Sequence, residues 1–337
     1  MNNRFPLFRL PQVAVREVLS ILNPFELINL SKVSSKMKET VTFYASVWSF
    51  ELRLSICPDP WILVSGTPNI FYCYQFTTQR EQDGNRQVYT EYGSYFDEIS
   101  VFAEDVLTMH RFYSDYLNSV LNLKIRRIQF DMHQTASRNK ECTDWMISTF
   151  RSVPDVLLEG EENVPVDDVQ YLLDRLNISQ RLGLHQKTGN ETAIRIPKVP
   201  VYFEIGNKSW MKLKHLLELD CKTIRIVNGA FSNRDLNYFL KKWMRMECHQ
   251  NLKTFATEIR RPENLNAVLN ELEHKQDDSS RPYSLDFVKD HELVAIGSGV
   301  SITRRDGVVA RIGAFRYQKG IIMLMNVMPS NYGSLKD

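Results

Sequence analysis

Residues that could carry out chemistry are thinly spread along this chain. The sequence contains no P-loop, no H-E-x-x-H histidine pair and no G-x-S-x-G nucleophile elbow. Its seven histidines show no ligand spacing with cysteine or carboxylate side chains. The carboxylate pairs Glu161-Glu162 and Asp167-Asp168 could act as acid and base, but a solvated loop and an acidic first helical turn explain them better. We therefore expect a non-catalytic chain that holds no metal and no cofactor.

The five cysteines, Cys57, Cys73, Cys142, Cys221 and Cys248, are spaced too irregularly for a disulfide framework or a C-x-x-C metal site. The amino terminus has no apolar signal region. No apolar run approaches the roughly 20 residues that cross a bilayer. These features predict a protein of the cytoplasm, the nucleus or both, with no membrane partner.

The overall charge argues against nucleic acid as a partner. The chain has 42 basic and 40 acidic residues, a formal net charge of +2, so no strong field attracts a phosphate backbone. The paired arginines Arg126-Arg127, Arg260-Arg261 and Arg304-Arg305 could still contact phosphates. Nucleic-acid binding therefore stays as an alternative, although scattered surface arginines account for the pairs more simply.

The elements that would position a binding site begin with three short helices in the first fifty residues. Val15, Val18, Leu19 and Leu22 form an i, i+3, i+4, i+7 stripe, and Asn23-Pro24 ends that helix. A second helix follows, and Ser34 or Ser35 can cap a third. So small a bundle cannot bury all its apolar residues, notably Leu10, Pro11, Phe25 and Ile28. The surplus indicates either a docking surface or packing onto the rest of the chain.

The next region has an irregular β pattern. Aromatic and β-branched residues over 61–76 and 86–96 flank a polar segment, 79–86, that contains the turn signal Asp83-Gly84. We expect a β-hairpin around this tip, followed by a helix near 103–121.

The second half contains a degenerate repeat, apolar-x-x-apolar-x-apolar, whose copies precede amphipathic helical stretches. The central residues of its five copies are separated by 28, 26, 42 and 31 positions, and they are Ile128, Val156, Leu182, Ile224 and Phe255. This period predicts an irregular leucine-rich-repeat-like domain of strands and helices, with an inserted segment around 196–205 in the long interval. The asparagine that usually follows such strands is missing. An unrelated α/β sandwich with chance spacing remains the alternative.

The helical segment resembles a known family. The stretch Phe5 to Pro11, then Val18-Leu19, Asn23 to Ser31 and Ser34-Ser35-Lys36 are similar to an F-box of the nematode type. F-boxes dock on the Skp adaptor of Skp–cullin–F-box ubiquitin ligases. The resemblance implies adaptor contacts at Leu10, Pro11, Val15, Val18, Leu19, Leu22, Pro24, Phe25, Leu27, Ile28 and Leu30.

Two later segments extend the resemblance. Asn228 to Trp243 and Ile302 to Ile312, whose Asp306-Gly307 predicts a tight hairpin, resemble the F-box-associated type 2 domain. The predicted fold is α+β or α/β: a three-helix F-box over 4–50, a connecting region over 51–122, and a repeat-like domain with a carboxy-terminal β-hairpin over 123–328. The implied function is substrate recognition in a ubiquitin ligase. A scaffold without a role in ubiquitination stays open as an alternative.

Alternation of side chains along the repeat strands predicts where a substrate would bind. If the apolar repeat positions face the helices, their neighbours face outward. That outward set mixes both charge signs and suits a protein partner: Arg127, Gln129, Asp131, Asp155, Leu157, Glu159, Arg181, His185, Arg225 and Val227. The alternative is that these side chains are only solvated and that the partner contacts loops such as 79–86.

Overall fold

The computed structural model describes residues 9–161, 163–188, 194–197, 200–206, 211–227, 231–277, 294–317 and 320–328. The chain divides into two compact units, residues 1–154 and 155–337. Each unit combines helices with strands, which confirms the α+β class. The Phe5-Pro6-Leu7 leader, Asn228-Gly229-Ala230 and His291 lie outside the described residues.

Three helices open the first unit: α1 (Gln12–Ser20), α2 (Pro24–Ser31) and α3 (Ser35–Ala45). Reciprocal capping explains where α2 begins. The Asn23 side chain accepts a hydrogen bond from the Glu26 backbone N–H (3.0 Å), and the Glu26 carboxylate accepts one from the Asn23 N–H (2.8 Å). Pro24 at the first helical position needs no amide partner there. Local sequence thus determines where α2 begins.

A six-stranded mixed sheet follows, in the order β6-β1-β2-β3-β5-β4. The β1–β6 and β3–β5 pairs are parallel, and the other neighbouring strands are antiparallel. Its elements, with the two helices of this region, are β1 (Glu51–Ile56), β2 (Trp61–Thr67), β3 (Ile70–Thr77), β4 (Arg86–Glu91), β5 (Ser94–Phe102), α4 (Val106–Leu121), β6 (Lys124–Asp131) and α5 (Asn139–Thr149).

The predicted hairpin around Asp83-Gly84 is wrong, because the two strands on either side of this turn, β3 and β4, do not pair with each other. β3 pairs with β2 and with β5, whereas β4 pairs with β5 alone, at the sheet edge. The polar segment folds back beside β5, because the Gly84 N–H donates to the Ser100 carbonyl (2.9 Å) and the Phe102 N–H donates to the Asp83 carboxylate (2.9 Å). The Asp83-Gly84 turn signal therefore marks a loop between strands that are not partners.

The three helices rest on this sheet and on α4. The Phe25 ring meets those of Tyr72 and Tyr74 edge-on, with centroids 5.5 and 4.8 Å apart. The Ser31 hydroxyl lies 2.9 Å from the Tyr116 hydroxyl of α4. Phe25 and Ile28 are therefore only 6% and 1% exposed, as the second of the two alternatives for these residues predicts. These two residues of the apolar surplus pack onto the rest of the unit.

The second unit contains β7 (Val153–Glu159), β8 (Asn163–Val164), α6 (Val166–Arg175), β9 (Ile178–Leu184), β10 (Lys187–Thr188), β11 (Tyr202–Ile205), α7 (Leu213–Glu218), β12 (Thr223–Ile226), α8 (Asn233–Met244), β13 (Thr254–Ile259), α9 (Asn264–Val268), β14 (His274–Asp277), β15 (Val294–Thr303), β16 (Val309–Tyr317) and β17 (Gly320–Val327). Neighbouring strands run in the order β7-β9-β11-β12-β13-β17-β16-β15-β14, and β8 pairs with β10 separately. The strands β9, β11, β12 and β13 are parallel, and the carboxy-terminal strands add to them in antiparallel fashion.

One strand was missed in the sequence. The segment predicted as an insertion contains β11, which forms between β9 and β12. Phe203 of β11 lies in register with Leu182 and Ile224, 21 residues from each. Because β11 is only four residues long, its pattern was too short to detect by periodicity. The four parallel strands β9, β11, β12 and β13 are therefore neighbours in chain order. The buried residues in register across them continue to Phe255 of β13.

The carboxy-terminal hairpin joins β15 to β16 through Gly307, which has a φ of +89°. Arg304, just before this turn, forms two hydrogen bonds with the Asp306 carboxylate and donates to the Gln250 carbonyl (3.0 Å). Its guanidinium carbon lies 5.2 Å from the ring centre of the buried Trp243 in α8. The two segments that resemble the F-box-associated domain are thus in contact.

Candidate functional site

The structure divides the predicted adaptor-contact residues into two groups. Six are buried and support the fold: Val15, Leu19, Pro24, Phe25, Leu27 and Ile28. Five are exposed or half-buried and can meet a partner without unfolding: Leu10, Pro11, Val18, Leu22 and Leu30.

Sequence reasoning missed several strongly exposed apolar residues of this helical module: Val13, Ile21, Val33, Phe43 and Val47. Ile21 is 81% exposed, and it lines one surface pocket of about 500 Å³ together with Leu22 and Val47. Val18, on α1, lies one turn before Ile21 and Leu22. We call Pro11, Val18, Ile21, Leu22 and Val47 the α1 surface. The sequence did contain a sign of this exposure: Ile21 is apolar, yet it lies outside the i, i+3, i+4, i+7 stripe of the first helix.

A second candidate surface lies on the parallel strands of the second unit. The apolar repeat residues are buried, and Phe255 packs against Phe239 of α8 with ring centroids 4.7 Å apart. This side of the strands therefore faces the helices. The alternate residues, on the opposite side, are half-buried in the structure: Asp155, Leu157, Glu159, Arg181, His185, Arg225 and Val227. We call this opposite side the strand face.

Glu204 of β11 is the centre of the strand face, and sequence reasoning missed it together with β11. Its carboxylate is 2% exposed. It accepts hydrogen bonds from Arg181 (2.6 Å), from Arg225 (3.1 Å) and from the Tyr202 hydroxyl (2.7 Å). The His185 ring nitrogen Nε2 lies 3.1 Å from Oε1, the carboxylate oxygen that also accepts the hydrogen bond from Arg225. Three residues of the predicted outward set thus converge on one buried charge.

Two glycines allow this close arrangement. A Cβ atom on Gly183 would approach the Leu157 side chain to 2.6 Å, and one on Gly206 would approach the His185 ring to 2.9 Å. Leu157 and His185 therefore lie directly against the backbone of neighbouring strands. Arg181 also stacks over the Tyr202 ring at 4.8 Å. The strand face thus presents side chains held in fixed positions, as a specific protein interface requires.

The charges around Glu204 change its acidity. Burial by itself would raise the pKa of this carboxyl, but the His185 contact and the charges of Arg225 and Arg181 outweigh burial and lower the pKa to about 2. Glu204 is therefore ionised at any physiological pH, and the arginines remain neutralised.

This depressed pKa predicts a pH dependence of stability. Since an unfolded glutamate titrates near pH 4.5, Glu204 contributes its full stabilisation above that pH and loses it as the pH falls through about 2. The lost stabilisation should be about 3 kcal/mol. Urea unfolding at pH 6 and at pH 2 measures it as the difference between the wild type and Glu204→Gln. A difference that stays constant between these pH values would contradict the assignment.

The remaining predicted substrate residues, Arg127, Gln129 and Asp131, belong to β6 in the first unit and are half-buried. Asp131 organises the turn that follows its strand, because its carboxylate accepts hydrogen bonds from the backbone N–H groups of His133 and Gln134, both at 3.1 Å. This side chain therefore has a local structural role.

Most of the thiol and imidazole groups that could react or bind a metal are buried. Burial raises the pKa of the Cys142 thiol to about 11 and that of Cys221 to about 12, so both are protonated at neutral pH. Burial lowers the pKa of His110 to about 4, and its Nε2 lies 3.2 Å from the Trp61 carbonyl. Within the described ranges, no three histidine, cysteine, aspartate or glutamate side chains are placed to hold a metal ion. Nor does any helix there combine the length and apolarity needed to cross a membrane.

Comparison with known proteins agrees with the sequence resemblance. Residues 7–43 match the model of the F-box domain, and residues 197–256 match the F-box associated model. Such domains are typically non-catalytic adaptor domains.

Two Caenorhabditis elegans proteins are similar to this chain. The Skn-1 dependent zygotic transcript 15 protein is 22% identical over 276 residues, which cover 72% of this chain and 76% of that protein. The uncharacterized protein F59B2.8 is 24% identical over 148 residues, 42% of this chain and 33% of its own. No solved structure matches the chain significantly.

Proposed function

We propose that this chain, an F-box protein of the nematode type, is the substrate-recognition subunit of a Skp–cullin–F-box ubiquitin ligase. The observation that carries the proposal is the pairing of a folded F-box, which exposes the α1 surface, with a separate unit that contains the F-box-associated match. In this proposal the F-box binds the Skp adaptor and the second unit binds a protein substrate. The chain itself supplies no chemistry and acts in the cytoplasm, the nucleus or both.

The adaptor contacts are proposed at the accessible members of the predicted set, joined by Ile21 and Val47. Isolated exposed apolar residues are common on proteins, but Ile21, Leu22 and Val47 line one pocket together, and a partner would cover such a concentration. The buried members, such as Leu19 and Leu27, support this surface from below.

The substrate surface is proposed on the strand face of a leucine-rich-repeat-like domain. Adjacent parallel strands in chain order, each followed by a connection that returns to the same edge, are typical of a solenoid whose strand side forms an extended binding surface. The domain limits in this proposal are 4–50, 51–122 and 123–328. The mixed charges and half-buried apolar groups of the strand face suit a protein partner.

The scaffold without a role in ubiquitination remains the second proposal, since it would bind through the same surfaces. Nucleic-acid binding is less well supported. Arg304, from one of the paired arginines, is held by Asp306 and Trp243 and is only 7% exposed.

Leu157 and Val227 are the best probes of the strand face, because Arg181 and Arg225 also neutralise a buried charge. We expect the double variant Leu157→Lys with Val227→Lys to lose at least about tenfold in capture of the partners that the wild type retains. The measurement is affinity capture with quantitative mass spectrometry, followed by ubiquitination of a captured partner by the reconstituted ligase.

The control for this experiment is adaptor binding, which the same double variant should leave unchanged. Retention of every partner by the double variant would exclude the strand face as the receptor surface. Captured partners that the reconstituted ligase leaves unmodified would favour the scaffold.

A further inference from the structure

The edge strand β4 has a regular and unprotected backbone. It is the last strand of the first unit's sheet, and all six of its residues are exposed. It pairs with β5 over six consecutive residue pairs without a register shift. Proteins usually protect such an edge with charged side chains, above all lysine, or with a proline or a bulge. Arg86 to Glu91 contains no lysine, proline or bulge, and its two charged residues stand at its two ends. The edge is thus suited to accept another strand.

The direction of the unused backbone groups follows from the β4–β5 ladder. The Ser100 N–H donates to the Asn85 carbonyl (2.9 Å), and hydrogen-bonded pairs alternate in an antiparallel ladder. Gln87, Tyr89 and Glu91 therefore bond toward β5. The N–H and C=O groups of the intervening residues, which include Val88 and Thr90, point away from the sheet.

A stack of side chains runs across one side of this sheet and ends at the β4 edge. The Tyr89 ring stacks on Phe96 at 5.2 Å, and Phe96 stacks on Phe71 at 5.1 Å. The Arg53 guanidinium covers Phe71 at 5.0 Å. Since the strand order is β1-β2-β3-β5-β4, Arg53 covers one end of the stack and Tyr89 forms the other. Tyr89 is 38% exposed, so the stack ends in an open ring face at the sheet edge.

The spacing and charge at this open end define what fits there. Neighbouring strands lie about 4.8 Å apart, so a side chain opposite Tyr89 on an added strand would continue the stack at the same interval. Glu98, whose carboxylate lies 3.3 Å from the Tyr89 hydroxyl, and Glu91 are on the same side of the sheet. Arg86 faces the other side and is neutralised by Asp97. A planar cation is therefore the best match.

We propose that the β4 edge binds an extended peptide segment of a partner by strand addition, with an arginine of that segment stacked on Tyr89. The backbone groups of Val88 and Thr90 supply the main-chain hydrogen bonds. Tyr89, Glu91 and Glu98 select the arginine, just as Arg53 covers the opposite end of the stack. This site is independent of the ligase assignment.

The test uses the full chain and a fluorescent, acetylated heptapeptide of alternating threonine and valine with a central arginine. We expect anisotropy titration to show saturable binding. Alanine at the central position should weaken it about tenfold, and glutamate should weaken it further. Equal binding of the arginine and glutamate peptides, or no binding of the arginine peptide, would overturn the proposal.

Two matched pairs of variants locate the site. Val88→Pro removes an outward N–H while leaving the bonds to β5, so it should abolish binding, whereas Val88→Thr should retain it. Tyr89→Ala should lose at least about tenfold in affinity, whereas Tyr89→Phe keeps the ring and should lose less than about threefold. If Val88→Pro fails to fold, the comparison of Tyr89→Ala with Tyr89→Phe still tests whether the peptide binds at the β4 edge. Unchanged affinity in Tyr89→Ala would exclude the stacked arginine.

Discussion

Replacing Ile21 by aspartate is expected to weaken Skp adaptor binding at least about thirtyfold, which corresponds to about 2 kcal/mol for a buried interface anchor. A charge placed in the α1 surface would be desolvated by the adaptor without a partner. Because the Ile21 side chain is 81% exposed in the free chain, the substitution should change the free energy of unfolding by less than about 0.5 kcal/mol. Calorimetric titration of the purified chain with adaptor measures the first effect, and urea unfolding measures the second.

The matched control is Tyr92→Asp, which places the same charge on an exposed position of the same unit outside the helices. It should bind adaptor like the wild type. Adaptor affinity that is unchanged in Ile21→Asp would remove the α1 surface from the proposed interface.

Phe25 provides a useful contrast, because it belongs to the predicted contact set but is buried between two tyrosines. Phe25→Ala should lower the stability of the first unit by about 3 kcal/mol or more, as truncation of a buried phenylalanine usually does. Its adaptor binding should fall only to the extent that the unit unfolds. The two variants together separate docking from folding.

The second large effect is expected at Glu204. Glu204→Gln should destabilise the second unit by about 2 to 3 kcal/mol at pH 7, because it leaves Arg181 and Arg225 without their shared counter-charge. The cost is smaller than for a fully enclosed pair, since Arg181 keeps access to water. The midpoint of urea unfolding, followed by circular dichroism, measures the change.

Glu258→Gln is the control for this prediction. Glu258 lies half-buried on β13 of the same unit, and the substitution should shift stability by less than about 0.5 kcal/mol. If Glu204→Gln proved as stable as this control, the cluster would contribute no net stability, and its fixed geometry would remain as its only role.

Several features of the fold could be predicted because they depend on neighbours in sequence. Asn23-Pro24 and Glu26 contain the whole capping arrangement of α2, so the start of this helix can be predicted without any tertiary contact. The alternation of apolar and polar residues in β7 and β12 likewise predicted which side chains are buried. The helical spacing of α1 identified its core residues Val15 and Leu19.

Other features depend on partners that are distant in sequence. A turn signal at Asp83-Gly84 says that the chain bends, but the pairing of β3 with β5 depends on which strands bury each other's side chains. β11 is too short to show a period, and it forms because β9 and β12 satisfy its backbone on both sides. The prediction of these elements needed contacts that no local window contains.

The sequence by itself determined the helical module, its family resemblance and the side of each repeat strand that is buried, because periodicity and capping act within a few residues. Only the tertiary structure decided which apolar residues of the module stay exposed and which charges meet. Phe25 and Ile21 are both large and apolar, yet β3 covers the first and leaves the second in solvent. Glu204 joins Arg181 and Arg225 because three parallel strands place them side by side, 23 and 21 residues apart in the chain.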